Sequence, residues 1–189
     1  MECFKMRNLI KRQRSHRFHK PIGRAGFTLL ELLIVIGIIA VMAAAMYPNL
    51  MNSLETKTLE NETRDILTSL QRTKFLAVKS KFPHRLRFEQ DAETNLWKYI
   101  IEREETAGNW TMIPSFVSRL IPSKFVVTVD LPDPGFAVAY SPLGTVTNFD
   151  LQHNTVILQS GRLERHNQLD QREIHVYTGG SVRFVKSES

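Results

Sequence analysis

Glu31 is the ionisable residue whose setting most demands a chemical reason. It is the sole charged side chain in FTLLELLIVIGIIAVMAAAMY, the apolar run from Phe27 to Tyr47. A carboxylate inside a membrane span costs about 2.5–3.5 kcal/mol on insertion scales. A plain anchor gains nothing from that cost. The residues just ahead supply a use for it. Cleavage between Gly26 and Phe27 would free a positively charged α-amine on Phe27, four residues before the carboxylate. The Glu31 of a neighbouring chain can neutralise that amine as a helix joins a bundle, fixing axial register. Desolvated ion pairs add little net stability but serve well as register devices.

The elements that must position these groups are a basic segment and an apolar helix. Phe27–Met46 spans about 30 Å as a helix, the thickness of a bilayer core. Residues 1–26 carry Lys5, Arg7, Lys11, Arg12, Arg14, Arg17, Lys20 and Arg24 against Glu2 alone. The positive-inside rule keeps such a segment cytoplasmic. Everything after Tyr47 would then lie across the membrane. Three readings compete: a plain single-span anchor, a secretory signal peptide cut near Ala43-Ala44-Ala45, and a leader cut before the apolar run. The run is long for a signal peptide, and Glu31 favours the third.

Gly26-Phe27-Thr28-Leu29-Leu30-Glu31-Leu32 resembles the prepilin cleavage motif of type IV pilins and type II secretion pseudopilins. The resemblance implies that Gly26 precedes the scissile bond, that Phe27 becomes an N-methylated first residue, and that Glu31 is needed for assembly. Pro48, just past the apolar run, matches the proline that kinks the helix in many such pilins. The implied partners are a prepilin peptidase/N-methyltransferase, other pilin or pseudopilin subunits, and the inner membrane.

Beyond Pro48 the chain has no proline or glycine from Asn49 to Lys81. Leu50, Leu54, Leu59, Ile66, Leu70 and Ala77 recur at helical spacing, which predicts an amphipathic continuation of the span. The stripe Ile66, Leu67, Leu70, Phe75 and Leu76 would need a sheet to cover it. After Pro83 the period changes to two. Strands are predicted at 84–89, 96–103, 125–130, 136–141, 155–159, 173–178 and 181–186. Thr178-Gly179-Gly180-Ser181 suits a tight hairpin between the last two. The expected fold is α+β and pilin-like: a long N-terminal helix, with a membrane half and an amphipathic half, packed on a mostly antiparallel β-sheet domain of about six or seven strands. Its expected parts are a leader (1–26), a pilin helix (27–82, membrane segment 27–47) and a periplasmic β-rich domain (83–189).

Phe136-Ala137-Val138-Ala139-Tyr140-Ser141-Pro142-Leu143-Gly144-Thr145 is followed by Thr155-Val156-Ile157-Leu158, then by the stretch from Ile174 to Arg183. This order is similar to the GspH/FimT group of minor pilins and pseudopilins. It implies a minor subunit of an inner-membrane-rooted filament, in a type II secretion system or a type IV pilus. Some members of the group bind DNA through an arginine-rich C-terminal region, which makes DNA capture for uptake the alternative. Here Arg162, Arg165, Arg172, Arg183 and Lys186 are interspersed with Glu164, Asp170, Glu173 and Glu188. The net charge of +6 also resides in the leader, because residues 27–189 hold 17 basic and 18 acidic side chains. Nucleic acid is therefore disfavoured as a partner.

No catalytic or cofactor-binding constellation is readable. His16 and His19 fall in the leader, and His84, His153, His166 and His175 lack metal-ligand spacing. Asp91/Glu93 and Glu104-Glu105 read as loop acids, and the lone cysteine, Cys3, also lies in the leader. No enzyme, cofactor or metal is expected.

Overall fold

The computed structural model describes residues 26–132 and 135–188. Residues 1–25 of the expected leader, with Cys3, His16 and His19, lie outside the described residues.

Helix α1 runs from Leu29 to Ser80. Pro48 sits inside it and removes the amide that would bond the Ala44 carbonyl. The buried positions after Pro48 are Asn52, Leu59, Thr63, Ile66, Ser69, Leu70, Thr73 and Ala77. Their three- and four-residue spacing gives one continuous stripe. Three of them are hydroxyl residues, and each donates to the carbonyl four residues back: Thr63 to Leu59 (2.7 Å), Ser69 to Asp65 (2.8 Å) and Thr73 to Ser69 (2.7 Å). Internal bonding lets these polar groups sit in the core without orphaned donors. Phe75, expected in the stripe, is exposed, as are Leu50 and Leu54. Each stands off the line that Thr63, Thr73 and Ala77 continue. The helix stops at Lys81, whose φ of 63° and N–H to the Ala77 carbonyl (3.1 Å) make a left-handed cap before Pro83.

Among the described residues nine strands follow: β1 (His84–Gln90), β2 (Trp97–Thr106), β3 (Asn109–Met112), β4 (Arg119–Leu120), β5 (Val126–Asp130), β6 (Ala137–Tyr140), β7 (Thr155–Gln159), β8 (Gln171–Val176) and β9 (Val182–Ser187). A short helix α2 (Gly161–Glu164) lies between β7 and β8. The strands form two sheets. The first has the order β3-β2-β1-β6, with β4 also on β2; the second has the order β5-β7-β8-β9. Every pairing is antiparallel. The two strands absent from the sequence reading, β3 and β4, are too short to show a period.

The chain divides into two compact units after Ala44. In the second, Leu59, Ile66, Leu70 and Ala77 of α1 share one core with Leu86, Phe88, Tyr99, Ile101, Val138 and Tyr140 of the first sheet. Val156, Leu158, Ile174 and Val176 of the second sheet, and Leu163 of α2, belong to the same core. Two turns tie the sheets together. Tyr140 bridges to Val146, and the Val146 N–H reaches the Thr178 carbonyl (2.9 Å) in the β8–β9 turn. Asn148 caps the free edge of β6, accepting from the Ala139 N–H (3.0 Å) and donating to the Ala137 carbonyl (2.7 Å).

Candidate processing and assembly site

The start of α1 is built by Thr28. Its hydroxyl accepts the Glu31 N–H at 3.1 Å, and its carbonyl accepts the Leu32 N–H at 3.2 Å. That makes Thr28 the N-cap and Glu31 the third helical residue, the Thr-x-x-Glu spacing of a capping box. The sequence reading missed this role of Thr28, although the spacing alone carries the signal. Phe27, just outside the helix, is 79% exposed. A β-carbon added to Gly26 would meet nothing within 4 Å. Neither packing nor a left-handed backbone asks for glycine there.

From Gly26 to Leu50 every residue is exposed. The apolar window at this end of α1 has a mean hydropathy of 2.7 with none of it buried. Core helices of water-soluble folds bury such a surface. This one is long and apolar enough to cross a membrane, and at about 25 cal/mol per Å² water is a poor solvent for it. Glu31 stays the lone carboxylate on that surface.

The other ionisable groups singled out in the sequence are dispersed and used locally. Asp91 organises the β1–β2 turn, accepting from the Glu93 N–H (3.2 Å), the Thr94 N–H (3.1 Å) and the Thr94 hydroxyl (3.0 Å). Lys98 Nζ reaches its other oxygen at 3.1 Å. The Lys98 bond and the turn donors hold the Asp91 carboxyl down at about 2. Glu104 accepts the Gly108 N–H at 2.8 Å, and Glu105 pairs with Arg103 at 3.1 Å. His84 is buried with Nδ1 2.9 Å from the Phe82 carbonyl, and burial pushes its pKa down. His153 lies against Asp130 (2.5 Å) and His175 against Glu173 (2.9 Å). Among the described residues no group of three or more His, Cys, Asp or Glu is placed to hold a metal ion. The C-terminal cations are partly committed as well. Arg172 is buried with Nη2 3.6 Å from Glu60, Lys186 bonds the same Glu60, and Arg162 donates to Asn52 at 3.2 Å.

Residues 23–47 match the prokaryotic N-terminal methylation motif. The fold of the chain is similar to the structure of the minor pseudopilin EpsH from the Type 2 Secretion System of Vibrio cholerae. The TM-score is 0.51 at 12% identity, over 68% of this chain and 96% of that one. The chain carries a prokaryotic N-terminal methylation motif and shares the fold of that structure. The motif lies at the head of the apolar part of α1, ahead of the helix-on-sheet domain. No characterised protein sequence matches the chain.

Proposed function

We propose that the chain is made as a prepilin and works, after processing, as a structural minor pseudopilin or minor pilin of the GspH/FimT group. The observation that carries this reading is the methylation motif at residues 23–47, set directly at the start of an exposed apolar helix. A peptidase cuts after Gly26, and Phe27 becomes the methylated N-terminus. Gly26 supports that assignment, because nothing in the described fold calls for glycine at that position. Residues 27–47 anchor the chain in the inner membrane, with the sheet domain on the periplasmic side. Pro48 kinks α1 just beyond the span. In the filament the apolar half of α1 packs against neighbouring helices, and Glu31 meets the Phe27 amine of an adjacent subunit. No reaction is assigned to the chain.

The DNA-binding alternative has less behind it. Residues 27–189 are nearly neutral, and three of the C-terminal cations already have partners within the fold. Crosslinking in host membranes, followed by identification of the captured chains, tests the proposal. Recovery of other leader-bearing filament subunits is the expected result, and their kind names the system served. Recovery of none, together with DNA binding that falls steeply with salt, would overturn it in favour of the alternative.

A further inference from the structure

We propose that the segment from α2 to Leu169 is a foot that rests on zwitterionic phospholipid headgroups beside α1. The inference rests on reading α1 as a membrane anchor. Its geometry lies wholly within the second compact unit, which begins at Ala45. Tyr47 closes the apolar run and is exposed, as suits an aromatic at the interface level. Asn52, the first buried residue of α1, stands about 7.5 Å further along the helix axis. The headgroup layer on each side of a bilayer is itself roughly 5–7 Å thick.

The connection between β7 and β8 is fastened at that level. Asn52 Oδ1 accepts from Arg162 Nε of α2 at 3.2 Å. Glu55 accepts the Ser160 hydroxyl at 3.0 Å through one oxygen and Lys124 Nζ at 3.0 Å through the other. Leu163 is fully buried, so α2 is plugged into the core. The turn beyond it is held by Asn167, in a left-handed conformation at φ 49°, and by Arg172 Nη1 donating to the Leu169 carbonyl at 2.9 Å. This rigid support presents Arg165, His166, Asn167, Gln168 and Leu169 to the outside.

The chemistry of that tip matches a lipid interface. Arg165 can bond a phosphate through its planar fork of donors. Leu169, 45% exposed, adds an apolar contact at the boundary with the acyl chains. A cavity of about 560 Å³ beside them is lined by Arg165 together with Glu164, Asp170 and Glu188. That mixture of signs suits a headgroup carrying both a phosphate and an ammonium, and gives no net attraction to a purely anionic surface.

The test uses the full chain in lipid nanodiscs with Cys3→Ser as background. Single nitroxide labels go on Gln168→Cys, on Ile38→Cys in the apolar run, and on Asn109→Cys in the strand paired with the end of β2. The discs contain phosphatidylcholine and phosphatidylethanolamine with a trace of nickel-chelating lipid. The expected result is severalfold greater relaxation by headgroup nickel at position 168 than at 109, reduced by Arg165→Glu, with the Ile38 label in the oxygen-rich hydrocarbon. Equal relaxation at 168 and 109 with Ile38 inserted would overturn the foot alone, as would contact that appears only when anionic lipid is added. An Ile38 label left in water would overturn the anchor reading itself.

Discussion

A β-carbon placed on Gly180 would stand 2.1 Å from the carbonyl oxygen of Gly144. The two glycines belong to the turns that join the sheets, and Lys74 of α1 spans both. Its Nζ donates to the carbonyls of Gly179 (3.2 Å) and Gly180 (3.1 Å), and its stem lies against Gly144. Gly180 also has a φ of 70°. The Pro-Leu-Gly and Gly-Gly signatures of the C-terminal part thus serve architecture, as the contact between two turns and a helix.

Gly180→Ala must therefore strain the backbone and push the turns apart. A left-handed conformation costs an ordinary residue about 1–2 kcal/mol, and overpacking adds about 1–3 kcal/mol. The melting temperature in detergent should fall by roughly 5–15 °C for a chain of this size. Gly179→Ala is the control: nothing lies within 4 Å of its added carbon and its φ is not left-handed. It should melt within about 2 °C of the parent.

Glu60 links α1 to the second sheet. It receives Lys186 and faces the buried Arg172, and the hydrogen bond from Lys186 leads the effects that hold its pKa below the ordinary carboxylate value. A carboxyl with a depressed folded pKa stabilises above its unfolded pKa and loses that contribution as pH falls through the folded value. Unfolding by denaturant between pH 7 and pH 3 should show stability falling below about pH 4.5. Glu60→Gln should be less stable at neutral pH by about 1–3 kcal/mol and should lose less than the parent on acidification.

The β1–β2 turn makes a local prediction. The Asp91 carboxyl should titrate near 2 by NMR. Lys98→Met removes the leading cause of the depression, so that midpoint should rise toward the ordinary carboxylate value, while the Thr94 donors keep it from arriving there.

Glu31 has two possible uses that one substitution separates. As the third residue of a capping box it could be replaced by glutamine, which also serves that position. As a charge for a neighbour's amine it could not. Glu31→Gln and Glu31→Leu should both be cut by the peptidase, and both should fail to enter filaments in a complementation assay. Assembly by Glu31→Gln alone would assign the residue to helix capping.

The parts legible in the sequence were those encoded in local patterns. Glu31 inside the apolar run and the helix stripe through Leu59, Ile66, Leu70 and Ala77 are periodic or chemically odd, so both could be read. Thr63 and Thr73 were missed because a threonine that bonds its own helix carbonyl is buried without being apolar. Phe75 was misassigned on its apolar character alone: it stands two residues from both Thr73 and Ala77, about 200° of helix rotation, and so faces away from the stripe. The division into two sheets was not legible, since it rests on which strand meets which: β1 with β6 across the whole of β2–β5, and β5 with β7 across β6. Pairing over such distances leaves no trace in a short window. At the site, Thr28 could have been read from its spacing to Glu31, whereas the exposure of Gly26 and Phe27 needed coordinates.

The most direct test of the central claim is the intact mass and N-terminal peptide map of the membrane-extracted chain, with and without a prepilin peptidase. The account predicts that the peptidase removes residues 1–26 and that the new N-terminus is a methylated Phe27. A chain that keeps Met1 in the presence of the peptidase, or one cut near Met46, would contradict it.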